Sequence, residues 1–194
     1  MSIIRRAFTI LAVGVLPIFG SCIFDAKEAG PDDKTPPVQY LPLDTRDNLL
    51  YNLELAYNQR NLEEFLKLLD NGVYQFFFSA TDVSQGLVDQ DSWGYAAEAE
   101  ATGRLFDRSP PANDPRADKI ALTLLYTEGD GAWQEMVPSS YPSETWYQKT
   151  VEYRLSVRVG ETDYNQNRVI VALLTVRQKP GESIWQIVEW RDDI

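Results

Sequence analysis

Residues Asn48–Phe78 read NLLYNLELAYNQRNLEEFLKLLDNGVYQFFF. Leu49, Leu50, Leu53, Ala56 and Tyr57 recur at three- and four-residue spacing, the pattern of a helix with one apolar face. Asp44 or Thr45 stands where an N-cap is needed, and the helix is expected to run to about Gln59. Arg60-Asn61 breaks the pattern. Asn61 can cap a second, short helix, with Glu64 three residues on completing a capping-box spacing. Leu62, Phe65, Leu66 and Leu69 line its apolar face, and Asp70-Asn71-Gly72 ends it with Gly as the terminating residue. Val73–Ser79 (VYQFFFS) is then a strand. Its near-continuous aromatic content implies burial on both faces or a wall against a cavity.

Working outward, Ala80–Asp91 reads as a loop and Ser92–Phe106 as a third helix, with Asp91 or Ser92 as its cap. Asp107–Ala117 is punctuated by Pro110, Pro111 and Pro115. Beyond it the period changes to two. Strands are expected at Lys119–Thr127, Ala132–Val137, Trp146–Val159, Arg168–Gln178 and Ser183–Trp190, with turns at Gly160–Asn167 and Pro180-Gly181. In Trp146–Val159, apolar Val151, Tyr153, Leu155, Val157 and Val159 alternate with polar or charged residues, so one face is buried and the other wet. On the last strand, Trp185 and Ile187 share one face while Ile184, Val188 and Trp190 share the other. Both faces are apolar; one should meet the helices and the other needs cover, as a second subunit would give. Helices followed by a run of antiparallel strands indicate an α+β domain, with the helices packed on one face of a curved sheet.

This order of elements resembles the NTF2-like (SnoaL-like) domain, whose long helix, polar break, short helix and first strand match Asn48–Phe78. The resemblance spans about Leu43–Arg191 and includes Ser92-Trp93-Gly94, similar to the start of the third helix in lipoproteins carrying such a domain. It implies an α+β cone of helices on a curved antiparallel sheet. It also implies a pocket that binds small apolar molecules in some members and is filled by side chains in others. Members that are enzymes commonly use Asp-His, Asp-Tyr or Asp-Arg-Asp sets. Here there is no His, and Tyr57 has no acid on the first strand to work with, only Gln75. An enzyme would need Asp82 or an acid from elsewhere. Fold alone does not settle function.

The chain before this domain reads as an address. Arg5 and Arg6 precede an almost wholly apolar run, Ala7–Phe19, of 13 residues, followed by Gly20, Ser21 and Cys22. That is the order of a secretory signal peptide, and the run is short for a bilayer span of about 20 residues. Gly20-Ser21-Cys22 resembles the lipobox of bacterial lipoproteins, which implies cleavage between Ser21 and Cys22 and acylation of the Cys22 thiol. Phe19 stands where that motif usually has Leu. Ile23 rather than Asp after the Cys favours the outer membrane, if the organism has one. Residues 1–21 are thus expected to be a lipoprotein signal peptide and 22–39 a lipidated, disordered tether. Asp25–Gln39, with three Pro and six charges, buries too little to offset its ordering entropy. Residues 40–194 are expected to form the NTF2-like domain.

Composition narrows the chemistry. The 194 residues contain no His and one Cys, which excludes Ser-His-Asp and Cys-His catalysis, His-ligated zinc and an internal disulfide. Eighteen basic and 29 acidic residues give a net charge of −11, unfavourable for nucleic acid. Cleavage before Cys22 removes Arg5 and Arg6, leaving 16 − 29 = −13. Such a domain is repelled by anionic headgroups and would be held by its lipid alone. Asp89, Asp91, Gly94 and Glu100 have near EF-hand spacing, but Trp93 occupies a ligand position, and the acidic start of a helix explains these residues better. No cofactor or metal is expected.

The candidate pocket residues are Tyr57, Phe76, Phe78, Trp93, Trp146 and Trp185. No catalytic residue is assigned. The expected role is an envelope-anchored lipoprotein, exported and attached to the bacterial cell membrane through Cys22. Its domain would bind a small apolar ligand or a protein partner without catalysis. A hydro-lyase or isomerase with an Asp/Tyr pocket is the alternative, and a structural envelope homodimer joined through the sheet face is the third reading. A buried acid facing a hole would favour the enzyme; a pocket filled by Phe76, Phe78 and the tryptophans would oppose it.

Overall fold

The computed structural model describes residues 38–109, 117–125, 132–164 and 168–192. The leader, Ser21, Cys22 and the tether up to residue 37 lie outside the described residues, as does the proline-rich segment 110–116. Gln39–Ile194 forms one unit.

Helix α1 (Arg46–Gln59) starts at Thr45, whose hydroxyl accepts from the Asn48 N–H. It ends at Arg60, which turns left-handed with φ 53°. A non-glycine residue there is strained, and Arg60 is held by its own Nη1, which donates to the Ala117 carbonyl at 2.7 Å. Asn61 caps α2 (Leu62–Lys67) by accepting from the Glu64 N–H. The expected capping box is only half made. The Asn61 N–H goes to the Ala56 carbonyl, and the Glu64 carboxylate takes Lys67 instead. Nor does Gly72 end this helix. The turn closes at Leu68 in right-handed geometry, and Leu69 already bridges to the sheet at Ile187.

Strand β1 (Gln75–Phe77) is shorter than expected. The loop after it contains a one-turn helix, α3 (Ala80–Ser84), capped by Ser79. Ser92-Trp93-Gly94, expected as the first turn of the third helix, is instead strand β2 (Ser92–Gly94), antiparallel to β1 with Trp93 opposite Phe76. The cross-strand aromatic pair outweighs the local helical signal. Helix α4 (Tyr95–Phe106) therefore begins after extended Gly94 with no side-chain cap, and neither Asp91 nor Ser92 caps it.

The remaining strands are β3 (Lys119–Leu125), β4 (Gln134–Met136), β5 (Trp146–Val159), β6 (Thr162–Tyr164), β7 (Ile170–Gln178) and β8 (Trp185–Asp192). The sheet runs β2-β1-β8-β7-β5-β3, with β4 and β6 pairing to β5; β1 and β8 are parallel and the other pairs antiparallel. The sheet curls over the helices, so the α+β cone implied by the family resemblance is present.

Two features shape the cone. The register between β7 and β8 passes from Thr175–Glu189 to Val176–Ile187, leaving Val188 as the extra residue of a bulge. Strict alternation is thereby broken. Trp185, Ile187 and Trp190 all join the one core cluster, whereas simple alternation separates Trp190 from the other two. Second, the outer edge of β3 is closed by α1. Asn58 both donates to the Leu122 carbonyl (2.9 Å) and accepts from its N–H (2.9 Å), and Glu54 accepts from the Leu124 N–H (3.0 Å). Asn58 behaves as a missing strand residue, which blunts an edge that could otherwise pair with another chain. Under the sheet, Tyr57 of α1, Phe65 of α2 and Phe106 of α4 meet edge-on, with ring centroids 5.1–6.1 Å apart. This triad fixes the three helices relative to one another.

Candidate functional site

A cavity of about 230 Å³, partly open to solvent, lies between the helices and the curled sheet. Tyr57 of α1 and Leu105 of α4 stand on one side of it, Tyr153 and Leu155 of β5 and Trp190 of β8 on another. Phe76 and Trp93 form the β1–β2 wall. The walls are thus mainly apolar and aromatic, and two carboxylates, Glu98 and Asp192, break them.

Helix α4 places Glu98 there by simple periodicity. Glu98, Ala101, Thr102 and Leu105 stand at i, i+3, i+4 and i+7, so they share the face turned to the cavity. Glu98 is only 6% exposed. Its Oε2 accepts from the Trp93 indole Nε1–H (2.9 Å) and the Tyr74 hydroxyl (3.3 Å), and its Oε1 accepts from the Thr102 hydroxyl (2.8 Å). All three donors are neutral. No ion pair to Glu98 is present among the described residues. A buried carboxylate without a cation is costly to hold, and hydrogen-bond donors are what support it here. A carboxylate has about four acceptor positions, so the three donors leave one, on Oε1.

At the end of β8, the Asp192 Oδ1 accepts from the Trp190 Nε1–H (2.6 Å) and the Tyr153 hydroxyl (2.8 Å). Each carboxylate is therefore oriented by a Trp and a Tyr. Burial raises the Tyr57 hydroxyl's pKa, and the charges of Glu98 and Asp192 push it further; a hydrogen bond with Thr102 opposes this in part. Burial, followed by the Glu98 charge, likewise holds Tyr74 well above an ordinary phenol. Both phenols remain donors throughout the neutral range.

The cavity brings together Tyr57, Phe76 and Trp93 of the residues singled out from sequence. The other three stand elsewhere. Phe78 packs behind the wall, 5.0 Å from the Phe76 ring and 4.7 Å from Trp93. Trp146 is one step out of phase with the inward-facing Tyr147 and Tyr153, so it points to the opposite face of the sheet. There it stacks on Tyr141 (5.3 Å) and donates to Glu144 (2.8 Å). Trp185 packs at the far end of the core against Tyr147, with the Arg46 guanidinium 5.0 Å from its ring. Asp82 sits in the first turn of α3 and does not line the cavity.

Sequence reasoning missed Glu98, Thr102, Tyr153, Trp190 and Asp192. For Glu98 a signal existed: an acid on the stripe formed with Ala101, Thr102 and Leu105. For Asp192 there was none, since its phase depends on the bulge at Val188. The residues with EF-hand-like spacing do not converge. Glu100 pairs with Arg104 on exposed α4 surface (2.7 Å), and Trp93 turns into the cavity wall. Among the described residues no group of three or more acidic or Cys side chains is placed to hold a metal ion.

A second, more polar hollow lies beside Asn58, Arg60, Asp118 and Lys119. Its groups are already engaged: Arg60 with the Ala117 carbonyl, Asn58 with Leu122, and Asp118 with the Gly160 N–H.

No family model matches the chain, and no curated protein matches its sequence. Solved structures do. One is a candidate dehydratase of the NTF2-like family from Streptomyces avermitilis, 13% identical, covering 77% of this chain and 93% of its own, with a TM-score of 0.48. Another is an NTF2-like protein of unknown function in nutrient uptake from Rhodospirillum rubrum, 10% identical, covering 75% and 94%, with a TM-score of 0.46. A third, an NTF2-like protein of unknown function from Pseudomonas putida KT2440, is 9% identical, covers 76% and 82%, and has a TM-score of 0.43. The chain is similar to each of these in the arrangement of its helices over a curled sheet.

Proposed function

We propose that this domain is a small-molecule receptor, held at a bacterial membrane by lipid on Cys22 and binding its ligand in the cone. The observation that carries the reading is the buried Glu98 carboxylate, oriented by three neutral donors at the wall of an aromatic cavity. A polar group set this deeply in an apolar hole is the usual arrangement for fixing a ligand's orientation. The volume supports a small ligand. About 230 Å³ is roughly eight waters' share of liquid volume, and below the roughly 300–1,000 Å³ of sites for drug-sized molecules. Native mass spectrometry of the purified protein tests this directly. A retained small molecule, lost on Ala101→Phe substitution in the cavity wall, is expected; ligand-free protein that also binds no member of a fragment set refutes it.

The membrane part of the proposal rests on Cys22 following Gly20-Ser21 behind a short apolar run. A Cys22→Ser variant should leave the membrane fraction, and its retention there would refute the anchor.

A second reading is favoured by the same carboxylate. With Tyr57 held protonated as a donor beside it, Glu98 could take a proton from a carbon next to a carbonyl that Tyr57 polarises. This is isomerase- or hydro-lyase-type chemistry. Against it, three of the four acceptor positions of Glu98 already hold donors, so a substrate proton has only the one left on Oε1. Exchange of substrate α-protons with deuterated solvent, abolished by Glu98→Gln, would favour this reading over simple binding.

A further inference from the structure

We propose that the cavity ligand is a small organic cation, a protonated amine with an apolar substituent. The inference rests on the receptor reading above and names the chemistry of its ligand.

Charge carries the argument. Among the described residues, the lining contains Glu98 and Asp192 and not one Lys or Arg. Glu98 lacks an ionic partner among the described residues, its three contacts being an indole, a phenol and an aliphatic hydroxyl. A desolvated carboxylate gains most from a ligand that brings the missing positive charge. An anionic ligand would be set against the Glu98 carboxylate, with no Lys or Arg of the described lining to offset the repulsion. A neutral ligand would leave the Glu98 charge as costly as before.

Aromatic content points the same way. Tyr57, Phe76, Trp93, Tyr153 and Trp190 all line the hole. Ring faces attract ammonium groups, tryptophan most strongly, and the attraction grows where water is excluded. The indole N–H groups of Trp93 and Trp190 are tied to Glu98 and Asp192, so these rings are held in place beside the carboxylates. The one acceptor position left on Glu98 Oε1 needs a donor, which the N–H of a protonated amine supplies with its charge and a quaternary ammonium lacks. The cavity volume suits a substituent the size of a short alkyl chain or one ring.

The test compares matched probes on the purified protein by titration calorimetry at neutral pH: n-butylammonium and benzylammonium, the corresponding alcohols, and butyrate and benzoate. Each ammonium is expected to bind at least about tenfold more tightly than its alcohol, with the carboxylates not binding. Glu98→Gln is expected to reduce the ammonium-to-alcohol ratio to about threefold or less, and Ala101→Phe to remove binding of both. Alcohols that bind as well as the ammoniums would overturn the cation assignment and leave the receptor reading standing. Failure of all six probes would overturn both for ligands of this size. The wild-type comparison decides the question even if Glu98→Gln does not fold.

Discussion

Replacing Arg177 with Met should destabilise the protein far more than a surface substitution, and the structure says by how much. The Arg177 side chain is 9% exposed and that of Asp70 5%. The Arg177 Nε and Nη2 both lie on Asp70 Oδ2, at 2.8 and 2.7 Å, and Nη1 lies 2.8 Å from Glu144 Oε2. Burial alone would lower the Arg177 pKa, but the two carboxylates raise it. Met fills much of the same space without charge. Asp70 would then be buried with the Gly72 N–H on Oδ1 as its remaining side-chain hydrogen bond. Breaking a buried pair from one side costs about 3–5 kcal/mol. For a chain of this length that lowers the melting temperature by roughly 6–20 °C, at about 2–4 °C per kcal/mol.

The consequence reaches the cavity. The Asp70 carbonyl accepts from the Tyr74 N–H (2.9 Å), and its own N–H donates to the Ile187 carbonyl (2.9 Å), so the ion pair anchors the turn that delivers Tyr74 to Glu98. Thermal unfolding followed by far-ultraviolet circular dichroism, with urea midpoints as a second measure, gives the number. The double variant Asp70→Asn/Arg177→Met, which removes both charges, should be more stable than Arg177→Met alone. A single-variant loss below about 1 kcal/mol, within the range of an exposed pair, would refute the reasoning.

Glu98→Ala orphans the buried Tyr74 and Thr102 hydroxyls, at about 1–3 kcal/mol each, offset in part by removing the carboxylate's desolvation. Urea unfolding should show a loss of about 2–4 kcal/mol. Glu98→Gln can keep its oxygen on Trp93 and Tyr74 and turn its amide to Thr102, so it should stay within about 1 kcal/mol of the parent. Asn58→Leu leaves the Leu122 N–H and carbonyl without their side-chain partner at the β3 edge. It should cost about 1–3 kcal/mol and produce concentration-dependent association visible by light scattering. Glu144 has its pKa lowered, first by the Trp146 indole and then by Arg177. Its contribution is therefore present above the unfolded carboxyl value and is lost as pH falls through the folded one. The melting temperature should be level near neutrality and fall in acid, with a shallower acid limb in Glu144→Gln; equal limbs would contradict this.

Where local signals agree, the chain could be read correctly without coordinates. The apolar stripe from Leu49 to Tyr57 with Thr45 before it gave α1 almost to the residue, and the alternation of Trp146–Val159 gave the bounds of β5. Both follow from periodicities of a few residues, which a sequence carries explicitly. Aromatic crowding in Val73–Ser79 points to a wall, and Phe76 of that segment lines the cavity. Sequence alone misplaces Trp146, since counting tryptophans says nothing about which face of a long strand each occupies.

Sequence by itself therefore determined the order of the main helices and long strands, the α+β class, the absence of histidine and the acidic balance of the protein, but not the short elements α3, β2 and β6. Only the tertiary structure decided the site. Folding brings Trp93, 5 residues before Glu98, and Tyr74, 24 residues before it, to donate to one of its oxygens. Asp192 and Trp190 reached the cavity because the bulge at Val188 shifts the phase of β8. Such contacts depend on strand register and packing. Neither leaves a period in the sequence, so the site emerges only when the sheet closes over α4.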